Sequence, residues 1–358
     1  ARPAYTKYSS STTARPCFRG QPLRCSFSIR NDIAREAGVS HATVSRALNN
    51  HREINIETRK RIHELARQMN YIPDGIARGL VTNRSNCVGM IIPDMDNQFV
   101  DRVVDGAEDY LNGNGRCMIL AQSRYQEGKE LNLVKTMLEQ RVEGLIVSPL
   151  SVDNLTKIKE LCQDIPLVFV CADTSEYGER CVASDDYSIG RCVAEYLLSL
   201  GHREILYMGG DEKNQGICRR VQGFRKVLEE QGYTDIEERV IMCPLPRESG
   251  YEQTQRLIRR GKLPTAIAAA NDMMAIGVME ALYHDGYRVP EDVSVIGCDD
   301  IDFAGFPQIS LTTIAQPGYE IGRRAAKMLF QEKERGQNRI ILEPSLKIRK
   351  SCQAYNGG

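Results

Sequence analysis

From Cys87 to near the C-terminus, short β-rich runs alternate with amphipathic helical stretches, and this alternation constrains the fold more than any other feature of the chain. Candidate strands lie at 88–92, 117–121, 144–147, 167–171, 205–208, 240–243, 266–269 and 293–297. Helical spacing fits between them at 99–111, 129–140, 189–200, 221–231, 250–259 and 274–283. A strand that is followed by a helix and then another strand pairs in parallel, so the pattern predicts parallel sheets covered on both faces by helices. This many strands favour two such sheets. Ligands of open α/β sheets sit at the carboxyl ends of the strands, which makes a cleft between two lobes the expected binding site.

The residues before Cys87 follow a different rule. Ile33, Ala34 and Ala37 form one apolar stripe at helical spacing, which Gly38 interrupts. Ser40 is a suitable N-cap for a second helix, 41–48, with Val44, Ala47 and Leu48 facing inward. Asn55 caps a third, in which Ile56, Ile62, Leu65, Ala66 and Met69 form the apolar face. Three short helices with a glycine turn between the first two describe an all-α helix-turn-helix domain.

Charge supports the division. The 47 Lys and Arg residues balance 47 Asp and Glu over 358 residues. Residues 1–84, however, hold 15 basic and 6 acidic side chains, a net +9, so the remainder carries −9. A basic module joined to an acidic body is the signature of a nucleic-acid binder with a second function. The 12 cysteines are scattered without CxxC or other metal-ligand spacing, and read as reduced thiols. Reduced thiols favour the cytoplasm, no metal site or cofactor is expected, and without an apolar run of about 18 residues no membrane partner is expected. Residues 1–28 contain five basic and no acidic residues and read as a disordered or non-native extension, with a targeting segment or an accessory basic arm for DNA as the alternatives.

The run from Asp32 to Asn49, Asp-Ile-Ala-Arg-Glu-Ala-Gly-Val-Ser-His-Ala-Thr-Val-Ser-Arg-Ala-Leu-Asn, resembles the helix-turn-helix signature of the lactose and galactose repressor (LacI/GalR) family. Similarity continues through Asn70-Tyr71-Ile72-Pro73 and Ala77-Arg78-Gly79-Leu80. In the body it reappears at Gly201-His202-Arg203-Glu204-Ile205, Arg220-Val221-Gln222-Gly223-Phe224, Asn271-Asp272-Met273-Met274-Ala275 and 289–299. The resemblance implies a helix-turn-helix domain at 29–73, a hinge helix and linker at 74–86, and a periplasmic-binding-protein-like body at 87–350. The expected division of the body is an N-lobe of about 87–180 with a later segment near 315–335, and a C-lobe of about 181–312 with the C-terminal strands.

In a helix-turn-helix, the first exposed residues of the second helix, and the one a turn later, meet base edges in the major groove. These are His41, Ala42 and Arg46. Arg46 suits guanine O6 and N7, with a phosphate contact as its alternative. Ser40, Thr43, Ser45 and Asn49 serve as cap, packing or phosphate contacts, which position without specifying. The resemblance implies that the segment 74–80, with Arg78 and Leu80, pairs with its copy in a homodimer. Leu80 then wedges into the minor groove, or packs within the linker.

For the cleft, the resemblance implies an effector site built from Phe99, Arg220, Asn271, Asp272 and Asp299. Carboxylates, a guanidinium and an apolar wall suit a polyol. Asn271 is equally suited to capping the following helix, and Asp272 and Asp299 to bracing. Two departures stand out. Sugar-binding relatives carry Asp-Arg where this chain has Cys171-Ala172, with Asp173 one place later, and some stack an aromatic ring where this chain has Leu245. Purine-binding relatives place arginine and threonine where this chain has Asn214 and Gly216.

The expected function is therefore a transcription repressor that binds double-stranded operator DNA under the control of a sugar or sugar derivative. The alternatives are a purine or nucleoside effector, and a sugar-binding transport protein, which the helix-turn-helix argues against. No phosphate loop and no nucleophile motif appears, so no enzyme and no catalytic residue is expected.

Overall fold

The computed structural model describes residues 26–48, 51, 53–71, 85–210, 213–331 and 338–355. The chain divides into two compact units, 1–83 and 84–358. Expected positions Asn49, Arg78 and Leu80, and most of the hinge segment, lie outside the described residues.

The first unit holds α1 (Ser26–Ala37), α2 (His41–Leu48) and α3 (Ile56–Gln68). Ile33, Ala37, Val44, Ala47, Ile62, Ala66 and Tyr71 close one small core between them. Gly38 turns the chain from α1 into α2 at φ +66, where a side chain would be strained. The Val39 amide then bonds back to Ala34 O at 3.0 Å. α1 begins at Ser26, ahead of the apolar stripe that opens at Ile33.

The second unit contains two six-stranded sheets. The first has the order β11-β5-β4-β3-β1-β2 and comprises β1 (Cys87–Ile92), β2 (Cys117–Gln122), β3 (Leu145–Val147), β4 (Leu167–Val170), β5 (Cys181–Ser184) and β11 (Arg339–Leu342). The second has the order β12-β10-β9-β8-β6-β7. Its strands are β6 (Ile205–Met208), β7 (Val240–Ile241), β8 (Ala266–Ala269), β9 (Ser294–Asp299), β10 (Thr312–Ala315) and β12 (Ser345–Lys347). All pairings are parallel except β10 with β12. Each sheet has an apolar core on both faces, as parallel sheets require.

The helices of this unit are α4 (Gln98–Gly113), α5 (Glu127–Glu139), α6 (Val152–Leu161), α7 (Asp186–Ser199), α8 (Gln215–Glu230), α9 (Arg247–Arg259), α10 (Asp272–His284) and α11 (Gly318–Leu329). Residues 181–184 and 339–342 were expected in the C-lobe. Instead β11 runs beside β5, and β5 beside β4, in the first sheet. The chain therefore crosses between lobes three times, after β5, β10 and β11. A four-residue strand bounded by polar residues carries no one-dimensional mark of which sheet it joins, so register alone decides.

Helix packing fixes the floor of the cleft. A Cβ on Gly190 of α7 would sit 1.8 Å from Arg220 O, and one on Gly223 of α8 2.1 Å from Tyr187 O. These reciprocal glycines let α7 and α8 cross at backbone contact, bringing Asp186 beside Arg220. Among the described residues the cysteines form no disulfide with one another. Among the described residues no helix is long and apolar enough to cross a membrane, and none of the acidic, histidine and cysteine side chains form a metal-holding group.

Candidate functional sites

On α2, Ser40 acts as the cap. The Thr43 amide donates to its Oγ at 3.1 Å, and the two hydroxyls lie 2.9 Å apart. His41, Thr43 and Ser45 are half-buried, whereas Ala42 and Arg46, one turn apart on the same face, are exposed. The outward face of the helix is thus a small residue followed by a guanidinium. A groove along α3 is lined by Arg59, Lys60, His63, Glu64 and Arg67, which adds positive charge to the same unit.

The cleft lies between the lobes of the second unit and holds a cavity of about 100 Å³ that opens to solvent. Phe99 and Val103 of α4 supply an apolar wall, and Tyr125, Leu245 and Cys171 also line it. Four of the five expected residues, Phe99, Arg220, Asn271 and Asp299, line this one cavity.

Arg220 is held rigidly. Its Nε donates to Asp186 Oδ1 at 2.6 Å and its Nη1 to Ala270 O at 2.9 Å. Burial opposes charge on the guanidinium, but Cys298, Asp186 and Asp299 outweigh it and push its pKa well above the usual value. Burial pushes the carboxyl of Asp186 up, against the pull of Arg220.

Asp299 ends β9 in a left-handed backbone conformation, φ 126, a strained state for a non-glycine residue and one concentrated at functional sites. Its Oδ2 accepts from Asn97 Nδ2 at 2.8 Å and its Oδ1 from Gln316 Nε2 at 2.6 Å. Burial pushes this carboxyl up as well. Each oxygen retains acceptor capacity for a ligand hydroxyl. Asn97 has two tasks, because its Oδ1 also caps α4 by accepting from the Phe99 amide at 2.9 Å. Asn271 likewise caps α10, accepting from the Met274 amide at 2.8 Å, and presents its side chain to the cavity.

Asp272 corrects the expectation. It is fully buried and is not part of the cavity lining. Its Oδ1 accepts from Thr313 Oγ1 at 2.5 Å and its Oδ2 from the Ile301 amide at 2.9 Å. It therefore ties β10 to the loop after β9, beneath Asp299. Burial, reinforced by Asp299, pushes its pKa up to about 7. Asp173 also turns away from the cleft. Despite its burial, Arg339 of β11, 2.8 Å away, holds its carboxyl at about 2.

Sequence reasoning missed Asp186, Asn97, Gln316 and Tyr125. The only signal for Asn97 and Asp186 was their position at the start of a helix, and Gln316 carried none. Across the rim the lobes are joined by Arg102 to Asp302 at 2.8 Å, Lys213 to Glu127 at 3.2 Å, and an ion pair of Arg219 with Glu176.

Residues 31–74 match the bacterial regulatory proteins of the lacI family, and residues 194–352 match a periplasmic binding protein-like domain. The chain is 32% identical over 331 residues to the HTH-type transcriptional regulator DegA of Bacillus subtilis, covering 91% of this chain and 98% of that protein. It is 31% identical to the HTH-type transcriptional repressor PurR of Vibrio cholerae, covering 87% and 94%. In structure it is similar to the lac repressor dimer bound to operator and the anti-inducer ONPF. That match has a TM-score of 0.81 and 28% identity, and covers 90% of this chain and 98% of that one.

Proposed function

Because the chain belongs to the LacI family of bacterial regulatory proteins, we propose that it represses transcription from operator DNA under the control of a sugar or sugar derivative bound between the two lobes. It is a DNA-binding regulator and not an enzyme, acts in the cytoplasm, and works as a homodimer. Edge strand β2 leaves Ile119 and Leu120 more than a third exposed, and Phe303 and Phe306 stack edge to face on the surface. These are apolar patches that a second copy can cover. On DNA, Arg46 reads a guanine and Ala42 permits close approach or meets a thymine methyl.

The observation that carries the sugar reading is the polar floor of the cleft. Asp299 at the end of β9, Arg220 on α8 and Asn271 at the cap of α10 converge onto one cavity with Phe99 as its wall. Carboxylate acceptors and guanidinium donors match the alternating hydroxyl groups of a polyol. A ligand that touches both lobes favours one lobe arrangement over another, which is how occupancy becomes a signal. A purine or nucleoside fits less well. Asn214 is occupied as the cap of α8, accepting from the Ile217 amide at 3.1 Å, and a Cβ on Gly216 would press on Asp186 Oδ2 at 2.9 Å.

Thermal-shift screening of the full chain against sugars and nucleosides tests the assignment, since a ligand of the native state raises its melting temperature. A rise with a sugar that is lost in Arg220→Lys supports it. A rise with nucleosides alone overturns it.

A further inference from the structure

Arg46 does not stand alone on its exposed face. Glu53 Oε2 lies 3.6 Å from Arg46 Nη1, with the two side chains 76% and 59% exposed. The loop that carries Glu53 is held in place. Arg59 of α3 donates through Nη2 to His51 O at 2.6 Å and Ile54 O at 3.2 Å, clasping the segment on both sides of Glu53. Asn55 then caps α3 by accepting from the Glu57 amide at 3.0 Å. The fold thus keeps a carboxylate beside the guanidinium that faces DNA.

The contact is too long for a hydrogen bond and too exposed to be strong. It leaves Arg46 free to move and only lowers the positive potential around it. A phosphate carries a full negative charge besides its paired acceptors, so it loses attraction to Arg46 and is itself repelled by Glu53. Guanine offers two aligned acceptors and no net charge, so its contact with the guanidinium fork is weakened less. We infer that Glu53 is a specificity-determining residue of the operator interface: it competes with backbone phosphates for Arg46 and yields to the paired acceptors of guanine. Glu53 lowers affinity for DNA in general more than for the operator, and so raises the ratio between them. This rests on the reading of Arg46 as a base-reading residue.

The test uses the full chain, a duplex selected by the wild-type protein from a randomised pool, and a random-sequence duplex of equal length. Affinities are read by fluorescence anisotropy across a salt series, with circular dichroism as the check that each variant is folded. Glu53→Gln should tighten the random duplex roughly two- to fivefold at low salt. Its salt dependence should steepen by about 0.9, the increment of one further phosphate neutralised. The selected duplex should gain less. In an Arg46→Ala background the same change should leave the salt dependence as it was. An equal gain on both duplexes, or a steepening that survives without Arg46, would mean that Glu53 acts as general charge and would overturn the proposal while leaving Arg46 as base reader. Equal weakening of both duplexes by Arg46→Ala would overturn the reading of Arg46 and the proposal with it.

Discussion

Two arginine–carboxylate pairs set the two working regions of this molecule apart. Arg46 and Glu53 meet at 3.6 Å in open solvent on the helix-turn-helix unit, while Arg220 and Asp186 meet at 2.6 Å with side chains 10% and 5% exposed. Water screens the first pair, so Arg46 can leave its partner for a better one at little cost. The second pair has given up its hydration and is committed, because parting it would leave a charge buried without compensation. The same chemistry thus leaves one arginine mobile on the helix proposed to read DNA and fixes the other in the floor of the proposed ligand cleft.

The sharpest way to break this contrast is to remove the committed arginine. Arg220→Ala should destabilise the body by ~3–5 kcal/mol, the cost of orphaning a buried partner, seen as a lowered urea midpoint. A loss below about 1 kcal/mol, typical of exposed pairs, would show that the cleft floor is wetter than its burial indicates.

Asp272→Ala ranks next. It strands Thr313 Oγ1 and the Ile301 amide, and should cost about 1–3 kcal/mol, measured in the same denaturation. A variant as stable as the parent but deaf to effector would return Asp272 to the ligand site. Its titration gives an independent check. A carboxyl raised to about 7 in the folded chain contributes stability below its unfolded pKa, and that contribution is lost as pH rises through about 7. Asp272→Asn should therefore flatten the fall in melting temperature between acidic and neutral pH, and an unchanged slope would contradict the burial argument.

On the DNA side, Arg46→Ala should relax preference at one base pair by ~1–3 kcal/mol without changing the stability of the fold. The smallest effect is expected at the rim. Lys213→Ala removes an exposed ion pair with Glu127, 3.2 Å away, and should change stability by less than about 1 kcal/mol, and only at low salt. A larger effect at high salt would mean that the rim, and not the floor, holds the lobes together.

What could be read from the sequence follows the range of the interactions involved. The helix-turn-helix was legible because its apolar spacing, Gly38 turn and Ser40 cap are all local. The alternation that predicts parallel sheets is local too, as is the apolar character of Phe99. Arg220, Asn271 and Asp299 were placed by resemblance, and they line one cavity. Partners were not legible. Nothing near Arg220 in the chain announces Asp186, which reaches it only because glycines let α7 and α8 meet. Asp272 follows Asn271 directly, yet one faces the cavity and the other is consumed by β10 and the loop after β9. The strands β5 and β11 were misassigned for the same reason, since sheet membership depends on register between distant segments.

The central claim is that a ligand held by the fixed floor of the body governs DNA binding by the mobile reader. The most direct measurement is a fluorescence-anisotropy titration of the full chain on its selected operator, with and without the sugar that raises its melting temperature most. The account predicts a change in operator affinity of roughly 5- to 150-fold, absent when Arg220 is replaced by lysine although the variant still binds DNA. A sugar that saturates the cleft and leaves operator affinity unchanged would contradict it.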